Sequence, residues 1–215
     1  IRLSLVGSEM CIRDRIYGSQ VSLLVGMAAG ILSTIVAVLI GLSWGYMRGF
    51  LGEVVGFIVN LFLVIPGLPL MIVIAAYLQN GGILMIIAVI VVTGWAWGAR
   101  VLRSQTQSLR GNDFVTSAQF SGDSRARIVF REILPNMTSI IAGTLFGAAT
   151  AAILAEAGLE FLGLGDSSIV SWGTMLYWAQ NSNSLLTGQW LLLFAPGLCI
   201  ALLALSLTLI NFGVD

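Results

Sequence analysis

Apolar residues run along this chain in long blocks separated by short polar stretches. A helix needs about 20 apolar residues to cross a hydrocarbon core. Five blocks meet or approach that length: Val21–Leu42, Val54–Leu78, Ile83–Ala99, Met137–Ala155 and Trp190–Ile210. The third is short by itself, and its helix is expected to continue through Arg100 and Arg103 into water. Between the blocks lie Trp44–Glu53, Gln79–Gly82, Arg100–Asn136 and Glu156–Gln189. Pro66-Gly67-Leu68-Pro69 interrupts the second block, and each proline removes a backbone donor, so a kink is expected there. Such a kink either lines a pathway or is architectural.

Charge gives an independent check on the number of crossings. Arginine and lysine collect in cytoplasmic loops. Beyond the first fifteen residues the basic positions are Arg48, Arg100, Arg103, Arg110, Arg125, Arg127 and Arg131. Arg48 follows the first block and the others lie between the third and fourth. With five crossings they all fall on one side, and the opposite loops contain none. The C-terminus is then cytoplasmic. Trp44, Tyr46, Tyr77, Trp95, Trp97, Trp172, Tyr177, Trp178 and Trp190 fall near block ends, where interfacial aromatics belong.

Composition says why lipid must be the main solvent. The chain is 58% hydrophobic and 9% charged, with a mean hydropathy of +0.98, against roughly 25% charged residues in soluble domains. The expected fold is an all-α, multi-pass membrane helix bundle. The chain has neither Lys nor His. A phosphate-binding P-loop needs its Lys, so that ATPase site is excluded, as are Schiff-base chemistry, His triads and His metal sites. Cys11 and Cys199 indicate no disulfide framework. No catalytic residue, metal site or cofactor is expected in this chain, and no nucleic-acid partner. The first fifteen residues, IRLSLVGSEMCIRDR, resemble a translated sequencing-adapter artefact and are expected to be a non-native tail, leaving residues 16–215 as the membrane domain. On that reading the native N-terminus is missing, and the end at Asp215 is a possible truncation.

Residues 111–136 read as two short helices at a glycine corner. Asn112 or Asp113 suits an N-cap, Gly122 suits the position after a helix end, and Asp123 or Ser124 can cap a second helix carrying Arg125, Arg127 and Arg131. Pro135 is expected to stop that second helix. Helices this short are unstable alone, so something must hold them. Ordinary orientation explains the arginines, but not the helix–Gly–helix punctuation. Small residues also recur four apart at Gly26/Gly30, Gly41/Gly45, Gly94/Gly98 and Gly143/Gly147. That spacing serves close packing, either within this bundle or against a partner subunit.

Residues 111–136 resemble the EAA loop of ABC importer permeases, in which Glu-Ala-Ala, three residues and Gly precede a Leu-Pro. Here Thr116-Ser117-Ala118, three residues and Gly122 precede Leu134-Pro135. Thr116 and Ser117 replace the first Glu and Ala, so any contact that the family makes through that Glu is in doubt. A second stretch narrows the family. Ile153-Leu-Ala-Glu-Ala-Gly-Leu-Glu-Phe-Leu-Gly-Leu-Gly165, followed by Ser171-Trp-Gly-Thr-Met-Leu176, is similar to the inner-membrane permeases of dipeptide, oligopeptide and nickel importers. Ile16–Gly26 and Ala195-Pro-Gly-Leu198 match as well. The resemblance implies a prokaryotic inner-membrane subunit and one further N-terminal helix. It also implies a homologous second permease, two cytoplasmic subunits that bind ATP and Mg, and an extracytoplasmic solute-binding protein. Thr116–Ala118, Gly122, Asp123, Arg125, Arg127, Leu134 and Pro135 would then form the element that couples to the ATPases. The resemblance leaves the solute open among peptides, nickel and oligosaccharides.

Glu156 and Glu160 are one helical turn apart on one face. Their distance from Met137 places them near the extracytoplasmic interface, as a pair needing little desolvation. The alternative is a role, with Trp172 and Pro66, in an outer gate or in subunit contacts. Loop 166–189 could re-enter the membrane or form a platform for a binding protein. A secondary, ion-coupled transporter is the main rival, but no internal repeat is visible and no charge is expected deep in a span. An intramembrane enzyme lacks the residues for the usual serine dyads.

Overall fold

The computed structural model describes residues 2–47, 49–78 and 82–214, with side chains from Arg13 onward. Arg48, most of loop 79–82, the side chain of Cys11 and Asp215 lie outside the described residues. Nine α-helices are present among them: α1 (Arg2–Tyr46), α2 (Phe50–Val64), α3 (Gly67–Tyr77), α4 (Ile83–Leu109), α5 (Asp113–Phe120), α6 (Arg125–Arg127), α7 (Thr138–Phe161), α8 (Trp172–Asn181) and α9 (Leu191–Val214). α1 runs unbroken through residues 2–15, the segment expected to be a non-native tail.

α1 is the centre of the bundle, packed lengthwise against α4 and α7. Its contact with α4 is parallel. A Cβ on Gly94 would lie 3.7 Å from Ser33 Oγ, one on Gly98 3.0 Å from Ala37 Cβ, one on Gly41 2.8 Å from Leu102 Cβ and one on Gly45 2.6 Å from Thr106 Cβ. Each pair lies one turn further along both helices. The small residues bring two backbones together where lipid offers no hydrophobic gain for association. The contact with α7 is antiparallel: Gly26 faces Ile153 and Gly30 faces Ala149. Gly26, Gly30, Gly41, Gly45 and Gly98 therefore serve packing within the bundle.

The parallel pairing settles what the second apolar block does. α2 and α3 are bent by 89°, with Pro66 extended (φ −60°, ψ 119°) at the break. Gly56 of α2 lies against Trp44 at the C-terminal end of α1, while Ala75 of α3 joins Ile86 and Ile87 at the N-terminal end of α4. The bent pair thus carries the chain from one end of the bundle to the other and makes one broken crossing. With α1, α4, α7 and α9 that gives five crossings. The kink expected at Pro66 is present and sharper than one proline inside a helix requires.

Pro135 behaves differently from the expectation. Instead of ending the second loop helix, it lies inside a continuous helical stretch. Beyond α6 the ladder widens to a π turn (Ile128–Ile133), tightens to a 3₁₀ turn (Leu134–Met137), and continues as α7. A proline in a regular α ladder crowds the carbonyl four residues back. The change of pitch on either side of Pro135 lets the chain absorb it, with the Leu134 N–H bonding the Val129 carbonyl.

Candidate functional site

The structure separates the residues of interest to two ends of the bundle. The loop end holds α5 and α6 beside the C-terminal ends of α1 and α4. α5 ends in a Schellman arrangement: the Gly122 N–H bonds the Gln119 carbonyl at 3.1 Å, and the Asp123 N–H bonds the Ala118 carbonyl at 3.2 Å. Gly122 has φ +81°, a left-handed conformation that costs other L-residues about 1–2 kcal/mol. Ser124 then caps the next turn, accepting from the Arg127 N–H, and Arg127 pairs with Asp123 at 2.8 Å.

What holds these weak helices is a set of apolar anchors on their inner side. Val115, Ile128, Ile133 and Met137 are buried in one cluster with Leu42, Trp95 and Leu102. Polar links add to this: Arg110 donates to the Tyr46 carbonyl at 3.3 Å, and Gln119 to the Tyr46 hydroxyl at 3.4 Å. The outer side is left open. Thr116, Ser117, Gly122, Arg125, Arg127 and Pro135 are exposed, Ala118, Asp123 and Leu134 are half-buried, and Phe120 is 88% exposed. The expected loop residues thus fall on one connected surface, built on a fixed corner.

Glu156, Glu160 and Trp172 come together at the far end. The expectation of a carboxylate pair needing little desolvation is overturned: Glu156 is 0% and Glu160 3% exposed. The reason is the fold of the segment after α7, which sequence spacing alone does not reveal. Gly163, at φ +77°, ends α7 in a second Schellman arrangement. Its N–H bonds the Glu160 carbonyl at 2.8 Å, and the Leu164 N–H bonds the Leu159 carbonyl at 3.0 Å. The chain then folds back over Glu160. A Cβ on Gly165 would lie 2.8 Å from Glu160 Cγ, and one on Gly173 2.6 Å from Glu160 Oε2. Only glycine lets the backbone close this tightly.

Two hydroxyl side chains donate to the two acids. The Ser171 hydroxyl donates to Glu160, and Ser22 of α1 donates to Glu156 Oε1 at 3.2 Å. Ser171 and Thr174 form a reciprocal capping box that starts α8. The Trp172 N–H donates to Ser22 Oγ at 3.3 Å, and its indole N–H to the Arg15 carbonyl at 3.1 Å. Glu156 Oε2 has no partner among the described residues. The network ties α1, α7 and α8 at one point. A buried acid costs several kcal/mol unless hydrogen bonds or partners offset it, so the site is held in place by its surroundings. Nearby, on the surface, the Ser168 N–H and hydroxyl hold the Asp166 carboxyl below the usual carboxylate range. Pro66 belongs to neither end. Ser22 is not legible as a partner from sequence, because nothing local links it to a residue far along the chain.

Three sets of similarities bear on what this arrangement is. The chain is 32% identical over 188 residues to the oligopeptide transport system permease protein OppC of Mycobacterium tuberculosis, covering 86% of this chain and 64% of that protein. It is 30% identical over 202 residues to the dipeptide transport system permease protein DppC of Bacillus subtilis, covering 93% and 62%. It spans, therefore, a little under two thirds of the length of these relatives. Its fold matches a chain of the MetNI methionine ABC transporter in an inward-facing conformation, with a TM-score of 0.77 at 16% identity, over 96% of this chain and 99% of that one. The sequence profile of the binding-protein-dependent transport system inner membrane component matches residues 37–215. With five crossings, a loop pinned at one end and a glycine-folded acid pair at the other, this chain belongs to that family of transport permeases and is a multi-pass membrane protein.

Proposed function

We propose that the chain is one permease subunit of an ATP-driven importer of short peptides, forming half of a pathway across the inner membrane with a homologous second permease. The observation that carries the reading is the corner at Gly122, whose inner side is anchored by Val115, Ile128 and Ile133 while its outer side stays open. Such a surface suits a groove on a cytoplasmic ATP-binding subunit. Phe120 would supply an apolar anchor, and Arg125 and Arg131 the charge. Thr116 stands where the resemblance to the EAA loop implies Glu, so docking here would rely on Phe120, Arg125 and Arg131 instead. Two ATP-binding subunits would close on each other and move the bundle as a body between inward- and outward-open states. A binding protein would deliver solute at the far end.

The arginines support an orientation with the loop end in the cytoplasm. The C-terminus would lie there too, because Ser139 at the start of α7 donates to the Val214 carbonyl at 2.8 Å. The peptide assignment rests on the names of the relatives. No specific observation favours ion-coupled transport.

Gly122→Pro tests the coupling reading. It cannot adopt φ +81° and it removes the N–H that closes α5. With its partner subunits the variant should insert normally in the membrane yet take up no peptide. Uptake at the wild-type rate would remove the coupling role from this corner.

A further inference from the structure

A pocket lies beside the Gly122 corner, between the C-terminal ends of α1 and α4 and the two loop helices. It has a volume of about 360 Å³ and is lined by Tyr46, Arg110, Gln119, Asp123, Arg125 and Ile128. Gln119 and Arg125 are exposed, so the pocket reaches the surface of the loop. Ile128 belongs to the buried core.

The walls stand ready before any partner arrives. The Arg110 guanidinium lies 5.5 Å over the Tyr46 ring and donates one N–H to the Tyr46 carbonyl at 3.3 Å. That contact positions the group and leaves its other N–H groups to the pocket. Gln119 donates to the Tyr46 hydroxyl at 3.4 Å, so that oxygen already accepts, and its own proton remains to be donated. Asp123 is the one acid in the lining, and its Oδ1 is taken by Arg127 at 2.8 Å. Arg125 has no ion-pair partner among the described residues. The pocket therefore presents two guanidinium groups and a phenol against a single acid that is already paired.

Such a lining suits a carboxylate, which guanidinium groups bind through paired, charge-assisted N–H···O bonds. Position decides where the carboxylate comes from. The pocket has no exposed apolar side chain in its lining, so an acyl chain has no bed within it. It opens on the outer side of the corner, where Arg125, Arg127 and Arg131 are exposed. Thr116, where the EAA loop has Glu, adds no acid to that surface. The complementary charge belongs on the subunit that docks there.

We propose that the pocket between Tyr46, Arg110 and Arg125 seats one acidic side chain, Asp or Glu, of the ATP-binding subunit. This rests on the reading of the chain as a permease of an ATP-driven importer. It reverses the polarity that a Glu at position 116 would give the contact. Tyr46 ends α1 and Arg110 caps α4, so the seated carboxylate would tie the ATPase to the central helix pair as well as to the loop.

The chain contains no Lys, so Arg125→Lys introduces a single side-chain amine and keeps the positive charge. A carbodiimide joins an amine to a carboxylate only where the two touch. In the assembled transporter, extracted in mild detergent, Arg125→Lys should form an amide with one Asp or Glu of the ATP-binding subunit, located by peptide mass spectrometry. The wild type, which lacks that amine, should give no such product. Arg125→Gln and Arg110→Gln should each weaken binding of the ATP-binding subunit about tenfold, the size of one lost charge-assisted hydrogen bond. Arg125 is exposed, so its variants should fold, and size-exclusion profiles check this. An ATP-binding subunit that stays in the complex yet forms no amide with Arg125→Lys overturns the seat. So does undiminished binding in both Gln variants, or equal coupling of the same acid to Arg131→Lys, which lies outside the pocket. A wild-type complex that retains no ATP-binding subunit overturns the importer reading itself, and the seat falls with it.

Discussion

Glu160 is held by the residues around it more than by its own helix. Gly165 and Gly173 close the backbone over it, and Ser171 both donates to it and accepts the Thr174 N–H at 3.0 Å to start α8. Ser171→Ala removes both interactions and leaves a buried carboxyl short of a donor. An N-cap loss costs about 0.5–2 kcal/mol and an unsatisfied buried group about 1–3 kcal/mol more. The variant should melt several degrees below the wild type in detergent, while Ser167→Ala, an exposed position nearby, should not. Equal melting of Ser171→Ala and wild type would show that the carboxyl pair does not depend on this cap. At the same scale, Gly122 and Gly163 do one job at opposite ends. Each takes a positive φ so that a helix can stop and the chain can turn back.

At the scale of elements, the decisive contact is the parallel seam between α1 and α4. Small residues on both helices alternate along it, and a side chain at Gly98 would meet both Thr144 Cγ2 at 2.9 Å and Ala37 Cβ at 3.0 Å. Gly98→Val should therefore force α1, α4 and α7 apart at a cost of about 1–3 kcal/mol. Thermal aggregation in detergent should shift to lower temperature, whereas Gly197→Val in α9, where nothing lies within 4 Å, should leave it unchanged. A matching pair of curves would mean that the seam is looser than described. The loop helices show the complementary case. α5 and α6 are too short to persist alone, and Val115, Ile128, Ile133 and Met137 make them part of the core.

The parallel seam has a consequence for the whole molecule. Since α1 and α4 end side by side, the segment between them must return across the bundle, and the 89° bend at Pro66 does not turn α2 and α3 into a re-entrant loop. The end of α9, where Ser139 donates to the Val214 carbonyl, shares an end with the arginine loop, and the fold after α7 occupies the other. Single cysteines in a background of Cys11→Ser and Cys199→Ser check this directly. A membrane-impermeant maleimide should label Ser167→Cys in intact spheroplasts, and Thr116→Cys and Phe212→Cys only after lysis. Labelling Thr116→Cys and Phe212→Cys from opposite sides would rule out five crossings.

Read alone, the sequence determined the class of fold, the apolar blocks, the basic loop and its corner at Gly122. These depend on local composition, on charge and on the backbone freedom of single residues. Pro66 was legible for the same reason, since a proline breaks a ladder wherever it stands. Pro135 was not, because a change of helical pitch across several residues can absorb a proline and no single residue signals it. The tertiary structure alone decided that Glu156 and Glu160 are buried. That required Gly163 to turn the chain, Gly165 and Gly173 to let it close, and Ser22 to arrive from a helix at the other end of the sequence. It also decided that Tyr46 and Arg110 stack and share a pocket with Arg125. Such pairings come from helices meeting in register, and register is a property of packed surfaces rather than of any stretch of chain.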